Sequence, residues 1–190
     1  VEEAVRLRDE AGEGQVTVLS MGPPQARSAI MKCLALGADD AVLLSDRAFA
    51  GADTWATSFT LAAAIRKMDD VGLVACGQQA IDGDTAQVGP EIAQQLGIAQ
   101  VTYVEKTELA GKKFTVHRQM EDGYHVLEVK APVMLAVVPP TDFQPGVPPM
   151  SKILKAKKKP FETWTIEDIG GDPKDYGLDG SPTQVVKTYS

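Results

Sequence analysis

The residues best suited to chemistry lie between Cys76 and Pro90, in the sequence CGQQAIDGDTAQVGP. The apolar run at 71–75 leads directly into this stretch and predicts a short strand buried on both faces. The Asp-Gly-Asp-Thr sequence at 82–85 has the residue types of a turn followed by a helix cap. A strand that passes through such a turn into a helix is a junction suited to an anionic nucleotide.

The start of the predicted helix supplies the chemistry of this junction. Pro90 has no amide hydrogen and is tolerated only in a first helical turn, so the helix is predicted to begin near Ala86 or Gln87. The free amides of Gln87, Val88 and Gly89 could then hold a phosphate without any lysine. The sequence is neither GxGxxG nor a Walker loop, so an ordinary strand-to-helix turn explains these residues equally well.

Composition bounds the class of protein. The 190 residues carry 19 Lys and Arg against 26 Asp and Glu, a net charge of −7. That balance does not favour a broad electrostatic surface for nucleic acid or anionic lipid. No apolar run reaches the roughly 18 residues of a membrane span, and no signal peptide opens the sequence. The chain begins without methionine, inside an amphipathic pattern at 1–7, so it is predicted to be truncated at its start.

The other candidate ligands give little support for a metal or a disulfide. Cys33 and Cys76 are far apart and belong to no CxxC pair, which predicts free thiols and a cytoplasmic setting. His117 and His125 fall on facing strands of a predicted meander, but no third ligand accompanies them. We therefore predict no metal site.

Alternating strands and helices are predicted over the first half of the chain, which indicates a parallel sheet with crossover helices. Strands are predicted at 16–19, 41–44 and 73–76, and helices at 26–36 and 87–96, with a further helix that Asp53 or Thr54 caps and that carries residues 59–65. Beyond Gly97, strands are predicted at 101–104, 113–117, 124–129 and 133–138, with hairpin turns at 110–112 and 121–123. The last of these strands is apolar enough to lie inside the sheet.

The chain changes character after Pro139. Prolines interrupt regular structure up to Pro149, and a basic run at 152–160 follows with the apolar pair Ile153 and Leu154 inside it. The segment 161–190 scatters Trp164 and other large apolar residues among Asp, Gly and Pro. No helical or strand period there predicts a core, so we expect an extended arm that buries Trp164 against a partner chain.

Several ordered stretches together resemble the β subunit of electron transfer flavoprotein, closest to the electron-bifurcating type. The stretches are VEEAVRLRDE (1–10), LSMGPPQA (19–26), ALGADDAVLL (35–44), CGQQAIDGDTAQVGP (76–90), ILKAKKKPFE (153–162) and GSPTQVVKTY (180–189). The resemblance implies an α/β, three-layer, parallel-sheet fold related to adenine-nucleotide-binding and universal stress proteins. It also implies an antiparallel hairpin, an extended C-terminal arm, and an α subunit that carries the electron-transferring FAD.

In this family the β subunit holds AMP, or a second FAD in bifurcating members, and supplies no catalytic acid, base or nucleophile. The DGDTAQVGP form favours FAD over AMP, which would place the protein between NADH, a low-potential acceptor and an acyl-CoA dehydrogenase. The aspartates would cap amides or ribose hydroxyls rather than touch phosphate. The implied cofactor residues are Met21, Gly77, Gln78, Gln79, Ala80, Ile81, Asp82, Gly83, Asp84, Thr85, Ala86, Gln87, Val88 and Gly89.

The resemblance also divides the chain. Residues 1–140 correspond to the nucleotide-binding domain without the family's N-terminal strand, 141–160 to the partner-recognition loop and basic run, and 161–190 to an arm that packs on the α subunit. Met150, Ile153 and Leu154 are the implied contacts with the acyl-CoA dehydrogenase. Relatives also continue past Ser190. The alternatives are an AMP-binding subunit of a non-bifurcating complex and a stand-alone nucleotide sensor like the universal stress proteins.

Overall fold

A computed structural model describes residues 1–140 and 142–187. The helices are α1 Glu2–Ala11, α2 Arg27–Leu36, α3 Thr54–Lys67, α4 Val88–Leu96, α5 Met150–Lys158 and α6 Ile166–Ile169. The strands are β1 Thr17–Met21, β2 Asp40–Leu44, β3 Leu73–Gly77, β4 Ala99–Ala110, β5 Lys113–Met120, β6 Gly123–Lys130, β7 Val133–Val137 and β8 Glu162–Trp164. Each element predicted up to residue 138 is therefore present, and β4 is the one that extends well beyond its predicted end.

The described strands form two sheets. A parallel three-stranded sheet has the order β1-β2-β8, and a five-stranded sheet has the order β3-β7-β4-β5-β6. In the larger sheet β3, β7 and the first part of β4 are parallel, while β5 and β6 continue as an antiparallel meander. The predicted α/β class, with a parallel core and an antiparallel hairpin, is confirmed. The alternating pattern of strands and helices predicted one parallel sheet, whereas the structure divides the parallel strands between two sheets.

Strand β7 holds the larger sheet together. It lies between β3 and β4, and its first four residues are buried, as its apolar sequence predicts. Val133 and Leu135 pack with Leu7 of α1 on one face, while Met134 and Ala136 pack with α4 on the other. The two faces alternate because successive side chains of a strand point to opposite sides.

Strand β3 is less buried than its sequence predicts. It pairs with β7 on one side and is an edge strand of its sheet, and Ala75 and Gly77 are exposed. The prediction of a strand buried on both faces is therefore wrong. An apolar run shows that side chains avoid water, but it does not show whether a neighbouring strand or helix covers both faces.

The segment after α5 packs on its own chain. Trp164 ends β8, which pairs with β2, and its ring lies 4.4 Å from the Lys67 ammonium group. Tyr176 is fully buried against Phe49 and Phe59, and its hydroxyl donates to the Gly170 carbonyl. Contacts within its own chain thus half-bury Trp164, although no sequence period predicted a core there. The predicted packing of this arm on a partner chain stays a prediction. Residues 188–190 of the predicted arm lie outside the described residues.

The carboxylate of Asp46 binds this segment, and its contribution to stability should depend on pH. Asp46 accepts hydrogen bonds from the backbone amides of Ala48 (3.0 Å) and Ile166 (3.1 Å). Both bonds lower the pKa of Asp46, and the bond from Ala48 has the larger effect. A lowered folded-state pKa gives stabilisation that is present above the unfolded value of about 3.9 and is lost as pH falls through the folded value. The loss therefore falls below about pH 4.

We expect Asp46→Asn to lower the urea midpoint at pH 6 and to have progressively less effect as the pH falls from 4 to 2. Asparagine has one side-chain oxygen acceptor where the carboxylate has two, so one of the two backbone bonds is lost. Asp69→Asn, at an exposed carboxylate, serves as the control, and its curve should run parallel to the wild type. A difference between Asp46→Asn and wild type that stays constant from pH 6 to pH 2 would contradict this assignment.

Candidate functional site

The candidate site lies where β3, β7 and the parallel part of β4 end together. Gly77 pairs with Val137, which in turn pairs with Val104. The Gln78 amide continues this pairing and donates to the Val137 carbonyl at 3.0 Å. In open α/β sheets, ligands bind outside the carboxyl ends of the strands, so this edge is the expected place for a nucleotide.

The connection from β3 to α4, residues 78–87, is open and tightly turned. Its central part is exposed, and the Ile81 side chain has no cover from the described residues at 102% relative exposure. Asp84 and Ala86 both have left-handed backbone conformations, with φ of 53° and 54°. Residues other than glycine adopt this conformation rarely, and when they do they often lie at ligand sites.

Hydrogen bonds within the connection use the acidic side chains. Asp82 accepts from the Gly83 amide at 2.9 Å, and Asp84 accepts from the Gln79 side chain. The Asp84 amide donates to the Ala80 carbonyl at 3.0 Å. The carboxylate of Asp82 therefore contacts a backbone amide within the described chain, a kind of contact that the family resemblance implies for the aspartates. The ribose contacts of both aspartates stay a prediction.

The start of α4 offers three backbone donors. Within the described residues, the amides of Gln87, Val88 and Gly89 have no hydrogen-bond acceptor, and no side chain caps the helix. The next residue, Pro90, has no amide to donate. Three unsatisfied donors at the positive end of a helix dipole suit an oxyanion such as phosphate, and this fit requires no lysine.

Gly89 fixes where these donors lie. It is buried, and a Cβ built on it would lie 2.8 Å from Cys76 Sγ and 3.4 Å from Met134 Cε. The helix start is therefore packed directly on strands β3 and β7. Burial raises the pKa of the Cys76 thiol, so at neutral pH this cysteine acts as a packing group and not as a thiolate.

Helix α3 connects the site to the C-terminal segment, a link that sequence analysis missed. The Thr54 hydroxyl lies 3.3 Å from the Gln87 side-chain oxygen and 3.2 Å from that of Glu91. The neighbouring Asp53 caps α3 through the Ala56 amide and also accepts from the Thr183 amide and hydroxyl, at 2.9 and 2.8 Å. The GSPTQ sequence around Thr183 could have indicated that this threonine makes a contact. Nothing in the sequence, however, shows which carboxylate Thr183 contacts.

The remaining predicted site residues lie elsewhere. Met21 ends β1 in the three-stranded sheet and packs in the cluster beneath α3, and α3 also contacts α4. In α5, Met150 and Leu154 are 67% and 52% exposed and are spaced for one helix face, whereas Ile153 packs against the core of its own chain. Met150 and Leu154 therefore have the exposed side chains of the three, and the predicted role of all three residues in docking stays a prediction.

The two histidines lie on opposite faces of the meander. His117 pairs with Val126 and stacks on Tyr124 at 5.1 Å between ring centroids, while His125 pairs with Arg118. Since neighbouring residues of a strand point to opposite faces, the histidines do not converge on one ion. The described residues contain no group of three or more His, Cys, Asp or Glu placed to hold a metal.

The helices in the described ranges include none with the length and apolar character needed to cross a membrane.

Fold and site thus define an α/β domain with parallel-dominant sheets and an open strand-to-helix junction at their carboxyl edge. The family model described as "Electron transfer flavoprotein domain" matches residues 1–169. The chain is 52% identical over 190 residues to the caffeyl-CoA reductase-Etf complex subunit CarD of Acetobacterium woodii. This alignment covers 100% of the chain and 72% of that protein. It is 53% identical over 188 residues to the electron transfer flavoprotein subunit beta of Clostridium acetobutylicum, and this alignment covers 99% of the chain and 71% of that protein.

A third relative, protein FixA of Azorhizobium caulinodans, is 44% identical over 199 residues, covering 100% of this chain and 70% of that protein. The chain belongs to the electron transfer flavoprotein family, and the resemblance to its β subunit is confirmed. Members of this family carry electrons, involve flavin and AMP, and work as subunits of complexes.

Proposed function

We propose that this chain is the β subunit of a bifurcating electron transfer flavoprotein, that it binds FAD in the 77–89 loop, and that it acts in the cytoplasm. The observation that carries the proposal is the set of three backbone amides at Gln87, Val88 and Gly89 without an acceptor in the described chain. They lie at the carboxyl edge of a sheet, in a chain of this family. The two free cysteines, Cys33 and Cys76, support the cytoplasmic setting.

In this function the residues of the chain bind and orient, and the cofactor supplies the redox chemistry. The amides at the start of α4 hold the phosphates through hydrogen bonds and the helix dipole. The left-handed residues Asp84 and Ala86 turn the loop so that its backbone faces the ligand. No side chain of this loop acts as an acid, a base or a nucleophile.

The proposed partners are an α subunit and an acyl-CoA dehydrogenase, with NADH as the electron donor to the complex. Two relatives carry names that point to reduction of CoA esters, a caffeyl-CoA reductase complex and an acryloyl-CoA reductase. The alternative is an AMP-binding β subunit of a non-bifurcating complex, which would use the same amides for one phosphate. A stand-alone sensor like the universal stress proteins is a weaker alternative, since the relatives from Acetobacterium woodii and Clostridium acetobutylicum are named as subunits.

The test is a cofactor count on the complex purified with its α subunit. We expect two FAD molecules per heterodimer after acid extraction and chromatography. One FAD with one AMP would reject the bifurcating assignment and leave the family assignment in place. A complex with no nucleotide in this subunit, shown by one FAD and no AMP, would reject the binding site itself.

The exposed face of α5 gives a prediction about docking. We expect Met150→Asp or Leu154→Asp to weaken binding of the dehydrogenase by about tenfold or more, because both place a charge on an apolar docking surface. Val126→Asp is the matched control, since Val126 is 56% exposed on the meander. Affinity would be measured by titrating the dehydrogenase against the heterodimer, and equal effects of the three variants would contradict docking through α5.

A further inference from the structure

Beyond the 77–89 loop, a distortion in β4 lies directly beside the proposed nucleotide site. The pairing of β4 with β7 shifts register between Val101 and Val104, so two residues, Thr102 and Tyr103, have no partner in β7. Tyr103 has a left-handed backbone conformation with φ of 56°. Such a conformation is unfavourable for a bulky residue, and bulges next to binding sites commonly redirect a side chain.

The surrounding chain holds Tyr103 in this conformation. Val101 and Val104 are fixed to Leu135 and Val137 on either side of the bulge. The Tyr103 amide donates to the Gln78 side-chain oxygen at 2.9 Å. Gln78 directly follows β3 and belongs to the loop that carries the free amides, so one side chain joins the bulge to the proposed site.

Arg118 of β5 contacts the same bulge and supplies independent evidence about it. Its guanidinium makes a long contact of 3.4 Å to the Thr102 hydroxyl, and its Nε is buried without a hydrogen-bond partner. No carboxylate within the described ranges forms an ion pair with it. A buried donor without a partner indicates a missing hydrogen-bond acceptor beside the bulge.

We infer that the Tyr103 ring forms an aromatic wall of the nucleotide site and stacks on a ring of the nucleotide whose phosphate binds at the start of α4. The inference rests on the proposed function and adds a residue that the 77–89 loop does not contain. Tyr103 is 43% exposed, so its ring has free surface for a ligand. Strain in the backbone is compensated when the aromatic side chain it presents binds the ligand.

The test compares Tyr103→Phe, Tyr103→Asn and Tyr124→Asn in the complete heterodimer after its nucleotide has been removed. FAD and AMP are each added back and their affinities measured by titration calorimetry. Stacking of a base on an aromatic ring contributes about 1–3 kcal/mol, which corresponds to about 5- to 150-fold in affinity. Tyr103→Asn should lose this factor for the nucleotide that the wild type retains, while Tyr103→Phe and Tyr124→Asn stay within about twofold.

The choice of asparagine separates packing from binding, because asparagine tolerates the left-handed backbone that Tyr103 adopts. If Tyr103→Asn does not assemble, Tyr103→Leu replaces it and keeps the apolar bulk without the aromatic ring. Wild-type affinity in the variant that assembles overturns the inference and leaves the proposed function intact. A wild-type complex that binds neither nucleotide in this subunit overturns both.

Discussion

Replacing Tyr176 with alanine is expected to lower the free energy of unfolding by about 3–5 kcal/mol, the range for removing a large buried aromatic side chain. The ring packs edge-on against Phe59 and tilted against Phe49. Its removal opens a cavity between α3 and the segment after α5, because neither element can collapse to fill it. Tyr176→Phe should lose only about 1 kcal/mol, since it removes one hydrogen bond to the Gly170 carbonyl and keeps the ring.

Urea unfolding followed by circular dichroism checks this, with Tyr124→Ala as the control. Tyr124 is 62% exposed, and its truncation should change stability by about 0.5 kcal/mol or less. The comparison also tests where the C-terminal segment is held. If Tyr176→Ala unfolded at the same urea concentration as Tyr124→Ala, the segment 165–181 would not be packed on its own chain in solution.

Replacing Gly89 with alanine is expected to weaken nucleotide binding by about tenfold and to lower the free energy of unfolding by about 1–3 kcal/mol. The added Cβ would lie 2.8 Å from Cys76 Sγ, which is too close for a contact between heavy atoms. The start of α4 must then move away from β3, and the amides that define the candidate anion site move with it. The gain in helix propensity from glycine to alanine, about 1 kcal/mol, offsets part of this cost.

A double variant separates the steric cause from other effects. Cys76→Ala removes the sulfur that the new Cβ meets, so Cys76→Ala with Gly89→Ala should recover binding and most of the stability that Gly89→Ala loses. The expected coupling energy is about 1–2 kcal/mol. Gly83→Ala is the control for stability, because a Cβ there meets no heavy atom within 4 Å. Additive effects of the two substitutions would contradict the contact.

How far the sequence determines this protein differs from element to element. Pro90 predicted the start of α4 to within one or two residues, because its missing amide is compatible with only a few helical positions. Asp53 or Thr54 was predicted to cap α3, and Asp53 is the residue that does so. The buried centre of the larger sheet, β7, was identified from its apolar sequence alone. Each of these predictions depends on the properties of residues that are close together in sequence.

The errors and omissions concern residues that are distant in sequence. Trp164 packs beside the core because β8 pairs with β2, more than a hundred residues earlier. Tyr176 is buried by Phe49 and Phe59, which are equally distant in sequence. The exposure of β3 depends on which strands lie beside it. Likewise, the strained Tyr103 could not be anticipated, since its conformation depends on the side chain of Gln78 from another strand end.

The sequence by itself determined the family, the order of the elements up to residue 138 and the position of the strand-to-helix junction at 76–90. Caps, turns, proline and apolar periodicity are local properties, and ordered motifs survive in the sequence whatever the packing. Only the tertiary structure decided that the C-terminal segment packs on its own chain and that the β4 bulge lies beside the candidate site. These features arise from pairing between segments far apart in sequence, and many alternative pairings satisfy the same local pattern until the whole chain is packed.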